Sequence, residues 1–243
     1  MGDQPACDNR LIAFLPEEER QSFLARLEMV HLPQGHQIAE AGKPLEFVYF
    51  LSSGIGSVLA VSDSGQKAEA GMFGREGFAP TASSVGANSN PYDIVIQVEG
   101  IAHRLPVTLF QDIVAGSRAF ADLLSRYLYV FAAQVAYTAL ANAAFKIDER
   151  LARWVLMCHD RADTDDMPIT HQFISLMLAV RRPSVTTALH MLEGEGLIRS
   201  DRGRVVVRDR PGLEQYSAGS YGQPENEYEI LLQSNAARNS QKT

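Results

Sequence analysis

Apolar and polar positions change rhythm once along this chain. Up to residue 116, apolar residues come in short runs closed by turn formers. Phe47-Val48-Tyr49-Phe50-Leu51 ends in Ser52-Ser53-Gly54, and Ser57-Val58-Leu59-Ala60-Val61 ends in Asp63-Ser64-Gly65. Asp93 to Val98 and Ile101 to Leu105 are two further runs, and glycines recur at 35, 42, 54, 56, 65, 71, 74, 77 and 86. Short strands with turn signals at this spacing predict an all-β barrel or sandwich. A short helix starting at Pro16 and reaching about Leu27 precedes it, with Glu17, Glu18 and Glu19 placed where a helix start favours acids.

From Ser117 to about Ala144 the period becomes helical, with neither Gly nor Pro. Phe120, Leu123, Leu124, Tyr127, Phe131, Gln134 or Val135, and Thr138 recur at spacings of three and four. Such a helix needs cover for its apolar stripe. A second copy of itself supplies that cover in a coiled-coil-like dimer through Phe120, Leu124, Tyr127, Phe131, Gln134 and Thr138. The alternative is a core helix packed on its own domain. Asp148 to His159 reads as another helix, and Arg161 to Pro168 as a break.

The segment after the break carries the chemistry. Thr170 can cap a helix whose inner face is Ile174, Met177 and Leu178. Arg181-Arg182-Pro183-Ser184 interrupts it. Val185, Ala188, Leu189 and Leu192 then define a second helix, with Pro183 tolerable only in the first turn. Two short helices joined by a tight turn make a helix-turn-helix, whose second helix enters the major groove. Arg181, Arg182, Ser184, Thr186 and Thr187 are residue types that bond bases or phosphates. The alternative is an ordinary helical hairpin with solvated arginines. Past Glu193-Gly194-Glu195-Gly196, Leu197 to Ser200 and Val205 to Arg208 read as strands about the turn Asp201-Arg202-Gly203-Arg204. A wing tipped by Arg202 and Arg204 would touch phosphate.

Composition narrows the class. The 243 residues are 46% hydrophobic and 21% charged, which fits globular domains rather than a disordered chain. The net charge is −7 but unevenly spread. Residues 1–145 hold 9 Lys and Arg against 15 acids, whereas residues 167–212 hold 7 Arg against 4. Positive charge therefore collects where the helix-turn-helix lies. The two cysteines, Cys7 and Cys158, exclude a four-cysteine iron–sulfur cluster within one chain and suit a reducing cytoplasm. Neither a leader nor a membrane-spanning run is expected. The six histidines are scattered, so no metal site is expected, and Gly54-Ile55-Gly56 lacks the third glycine of a dinucleotide fingerprint. No paired acids or nucleophile beside a base argue for an enzyme.

The segment THQFISLMLAVRRPSVTTALHMLEGEGLIRSDRGRVVVRD closely resembles the winged helix of Crp/Fnr-type regulators, and its RRPSVT turn resembles a large subgroup of them with no known effector. Upstream, LPQGHQIAEAGKPLEFVYFLSSG looks like the opening strands of that family's cyclic-nucleotide-binding-type β-roll. The resemblance covers most of the chain. It implies an α+β protein: an N-terminal antiparallel β-roll (a double-stranded jelly roll) over 1–116, a long dimerisation helix over 117–145, a C-terminal winged helix-turn-helix over 146–212, and a partly disordered tail over 213–243. It implies a cytoplasmic homodimer on double-stranded DNA, with an inverted-repeat site and RNA polymerase as a further partner. By the resemblance Arg182 contacts guanine and His171 a phosphate, Thr170 beside it belongs to the same DNA-binding set, and Arg202 and Arg204 are basic wing positions. Pro183 and Thr187 stand where cyclic-AMP-responsive members carry a base-reading glutamate and a second arginine, so the site read should differ from theirs.

The sensor end is less defined. Gly74-Arg75-Glu76-Gly77 resembles the family's ribose-binding Gly-Glu pair with Arg75 inserted. The phosphate-neutralising arginine has no counterpart in Asn88-Ser89-Asn90-Pro91-Tyr92-Asp93. A buried phosphate needs a cation or a nest of amides, so cyclic AMP is not expected. Gly74, Arg75, Glu76 and Tyr92 are the candidate pocket for an unidentified small-molecule effector. In the alternative, the roll is a structural platform and the regulator needs no effector.

Overall fold

The computed structural model describes residues 7–240, with the helical path alone for 233–240. Helix α1 (Glu17–Leu24) follows Pro16, whose extended backbone places the three glutamates in the first turn. Strands β1 (Glu28–Leu32), β2 (Gln37–Ala39), β3 (Phe47–Leu51), β4 (Ile55–Val61), β5 (Lys67–Phe73), β6 (Phe78–Ala79), β7 (Tyr92–Val98) and β8 (Gly100–Pro106) follow. They form two antiparallel four-stranded sheets, ordered β1-β8-β3-β6 and β2-β7-β4-β5. Apart from the β4–β5 hairpin, consecutive strands alternate between the sheets, which makes the N-terminal unit a roll. At the β3–β4 turn Gly54 has φ +84°, and a Cβ there would lie 2.6 Å from the Val98 carbonyl oxygen. Only glycine fits both conditions.

Helix α2 (Val107–Gly116) leads into α3 (Arg118–Ala144), capped by the Ser117 hydroxyl, which accepts the Phe120 amide. An aromatic core joins α3 to the roll. Phe50, Phe78 and Phe110 lie with ring centroids 5.7–6.2 Å apart, and Phe23, Phe120 and Tyr127 extend the cluster. This corrects the expected dimer stripe. Phe120, Leu124, Tyr127 and Gln134 are 2–6% exposed within a single chain, so they face their own core. Phe131 and Thr138 are half-buried, and the Thr138 hydroxyl donates to the Gln134 carbonyl. The free face of α3 is a different one: Ser125, Tyr129, Ala132, Ala136, Ala139 and Ala143, alternating four and three apart.

Helix α4 (Ile147–His159), strand β9 (Asp166–Met167), α5 (His171–Met177), α6 (Arg182–Gly194), β10 (Ile198–Asp201), β11 (Arg204–Val207) and α7 (Arg210–Tyr216) complete the C-terminal unit. Its core is Leu151, Trp154, Val155, Ile174, Val185, Leu189, Leu192 and Val205 with their neighbours. The break expected over 161–168 contains β9, which adds a third strand in the order β10-β11-β9.

The tail expected to be partly disordered is helical over most of its length. Helix α8 (Gln223–Ser240) returns to the roll and packs along α3. Leu232 is fully buried in the aromatic core, Tyr228 donates to the Glu76 carbonyl at 3.1 Å, and Arg126 donates to the Leu231 carbonyl at 3.1 Å. Tyr228 and Leu232, one helical turn apart, anchor the helix on one face. Residues 241–243 of the expected tail lie outside the described residues.

Candidate nucleic-acid interface

The helix-turn-helix is assembled by local signals. The Thr170 hydroxyl accepts the Phe173 amide at 3.2 Å and starts α5. Helix α5 ends at Met177, sooner than the apolar pattern suggests, because Ala179 takes φ +52° and turns the chain. The Ser175 hydroxyl donates to the Val180 carbonyl at 2.6 Å and Arg150 to the Leu178 carbonyl at 2.6 Å, which fixes the turn. Arg181 is extended at the N-cap of α6, and Pro183 sits in the first turn, where its missing N–H removes no helical bond.

That geometry buries Val185, Ala188, Leu189 and Leu192 and leaves Arg181, Arg182 and Thr187 exposed, with Ser184 and Thr186 half-buried. Neither arginine meets an acid among the described residues, so both guanidinium forks are open. The Thr186 and Thr187 hydroxyls donate to the Arg182 and Pro183 carbonyls at 3.3 and 3.1 Å. His171 is half-buried, with a ring nitrogen 3.3 Å from the Ser200 hydroxyl on the wing. Ser200 was not singled out from the sequence. Its place in the polar run Arg199-Ser200-Asp201 beside the wing turn is its signal in the sequence.

The wing is fastened to α6, since the Ser200 amide donates to Glu193 at 2.6 Å. Its two arginines differ. Arg202 is exposed in the turn and meets no acid among the described residues. Arg204 grips Asp166 of β9 through Nε at 2.8 Å and through Nη2, so its charge is already opposed. An open cleft separates the start of α6 from the β4–β5 hairpin, with Arg181 and Arg182 on one wall and Ser62, Gln66 and Lys67 on the other.

The four expected effector residues do not converge. The Glu76 carboxylate accepts the Gly74 amide at 3.1 Å and Arg161 Nε at 2.7 Å. Arg75 turns away to Asp8 and Asp163. Tyr92 is exposed at the start of β7, paired with Ala60, whereas Glu76 follows β5 at the end that pairs with Gly56. The pocket of Gly74, Arg75, Glu76 and Tyr92 is therefore corrected. Glu76 faces α3, α4 and α8, and Tyr92 does not join it. Burial pushes the Cys158 thiol well above its ordinary range, in keeping with a core position.

Antiparallel roll, long helix and winged helix-turn-helix define the class: a helix-turn-helix domain carried behind an antiparallel β-roll. Residues 149–216 match the model of the Crp-like helix-turn-helix domain. No curated protein matches the chain by sequence. Among solved structures, a crp/fnr-family transcriptional regulator from Eubacterium rectale superposes with a TM-score of 0.66 at 19% identity, over 86% of this chain and 98% of that one. FixK2 from Bradyrhizobium japonicum gives 0.66 at 15% identity, over 79% and 98%. A CRP-family regulator from Thermus thermophilus gives 0.65 at 19% identity, over 78% and 97%. The chain thus has the Crp/Fnr fold and a Crp-like helix-turn-helix domain. Among the described residues no helix is long and apolar enough to cross a membrane.

Proposed function

We propose that this protein is a sequence-specific, DNA-binding transcriptional regulator that acts as a homodimer on an inverted-repeat site. The observation that carries the reading is the first turn of α6. Arg181 and Arg182 stand exposed without acid partners, beside Ser184, at the position a recognition helix offers to base edges. Arg182 reads guanine and Arg202 holds phosphate. Arg204, tied to Asp166, adds less. The exposed seam of α3 from Ser125 to Ala143 has the four-three alternation of a coiled coil and small side chains that let a second helix approach, which supports the dimer. Half-sites would then lie about one helical turn apart.

Replacing Arg182 with Ala should weaken binding to the selected site by about 1–3 kcal/mol and relax one base position. Random-sequence selection on the wild type and the variant checks this. An unchanged preference would remove α6 from base reading.

Two observations favour a roll that does not bind cyclic AMP. Its interior is filled by Leu51, Val58, Phe73, Ile94 and Ile96, and Glu76 is engaged by Arg161. Titration calorimetry with cyclic AMP should return no binding heat; micromolar binding would contradict this reading.

A further inference from the structure

Where α8 crosses α3, a cleft of about 250 Å³ opens between the Glu76 loop, α3, the end of α4 and α8. Three deeply buried side chains bring hydrogen-bond donors to its wall. Gln134 is 6% exposed and its Oε1 accepts the Met72 amide at 2.7 Å, which fixes the amide so that Nε2 has no acceptor among the described residues. Arg161 is 8% exposed; Nε goes to Glu76 and Nη1 to the Met157 carbonyl at 2.7 Å, and Nη2 has no acceptor among the described residues. Tyr127, 3% exposed, lines the same wall, and a phenol hydroxyl can donate. Donors that open on a cleft in this way are matched by an occupant that carries an acceptor.

Charge narrows that acceptor. Glu76, Asp160, Glu225 and Glu229 line the cleft against Arg10 and Arg161, so an anion would enter an acidic surround. A cation would meet the Arg161 guanidinium and donors that need lone pairs. We propose that this cleft binds an uncharged small molecule that offers a carbonyl oxygen to Gln134 and Arg161 and lays an aromatic or alkyl body against Val130 and Phe131. The walls belong to the roll, the long helix, the DNA-binding unit and α8, so an occupant touches every part whose arrangement sets the spacing of two recognition helices. That regulatory consequence rests on the regulator reading above; the binding itself does not.

Three nearly isosteric probes test it on the full chain: benzamide, benzoate and benzamidine, followed by ligand-observed NMR titration without DNA. Benzamide should bind with Kd on the order of 1 mM, as its size allows, and each charged probe about tenfold more weakly or worse. Gln134→Met keeps the side-chain volume and removes the donor; it should weaken benzamide about tenfold. The order of the three probes on the unmodified chain needs no variant to fold. Failure of benzamide to bind at about 10 mM, equal or tighter binding of either charged probe, or indifference of a folded Gln134→Met chain would each overturn the proposal. None of these outcomes bears on the Arg182 experiment, so the two readings fail separately.

Discussion

Glu69, on β5, is fully enclosed at the joint between the roll and the DNA-binding unit, and its environment sets a measurable dependence of stability on pH. The Trp154 indole N–H of α4 donates to Oε1 at 3.0 Å. The Ser57 hydroxyl lies 2.6 Å from Oε2 and 2.7 Å from Gln97 Oε1. Ser57 has one proton and faces two acceptors, so a second proton is needed to satisfy both contacts. A protonated Glu69 supplies it: the carboxylic acid donates to Ser57, and Ser57 donates to Gln97. Burial pushes the Glu69 carboxyl up from 4.5 to about 7, against the opposing pull of Ser57, Trp154, Arg153 and Arg161. The folded state therefore holds this proton more tightly than the unfolded chain. Its stabilising effect is complete below the unfolded value and is lost as pH rises through about 7. At about 1.4 kcal/mol per pH unit, the loss is about 3 kcal/mol. Glu69→Gln mimics the protonated acid, with its carbonyl for Trp154 and its amide N–H for Ser57. Urea denaturation at about pH 5 and about pH 8 should show the variant near wild type at the lower pH and about 2–3 kcal/mol more stable at the higher. The difference between the two proteins isolates Glu69 from every other titrating group. Parallel stability curves would refute the buried proton.

The remaining predictions concern the interface and the seam. Arg202→Ala should weaken binding to all sequences about equally and lower the salt slope by about one, measured by anisotropy across a salt series. Arg204→Ala should do so less, because Asp166 already opposes that charge; an equal or larger effect would mean that the Arg204–Asp166 pair opens on DNA. Ala136→Glu places like charges face to face across the proposed α3 seam. It should shift sedimentation from dimer to monomer without changing far-ultraviolet dichroism, and a persisting dimer would move the interface elsewhere.

The parts of the site that could be read from sequence are those fixed by near neighbours. Pro183 fixed the start of α6, the periodicity of Val185, Ala188, Leu189 and Leu192 fixed its inner face, and Gly203, at φ +79°, fixed the wing turn. The strand β3 from Phe47 to Leu51 and the helix α3 were legible for the same reason: side-chain period and caps act over one or two turns. On α3 the period was right, and the stripe assigned to a second copy is covered within the chain. An apolar stripe states that something must cover it and not what does; the roll and α8 took Phe120, Leu124 and Tyr127, which left the weaker, alanine-rich seam outside. The joint was illegible for a different reason. Glu69 meets Trp154, and Glu76 meets Arg161, across 85 residues of chain, and Tyr228 reaches Glu76 across 152. Glu69, Glu76 and Arg161 are polar residues whose pattern reads as surface, and they are buried or half-buried where two units close over them. A polar joint of this kind holds its geometry only while every partner is in place, since a buried charge left alone is far more costly than the pair is favourable. The Glu76–Arg161 pair and the Glu69–Trp154 contact therefore fix the angle of the DNA-binding unit on the roll. They belong among the determinants of the α6 position as much as Pro183 does, although they lie in none of the segments that name the fold.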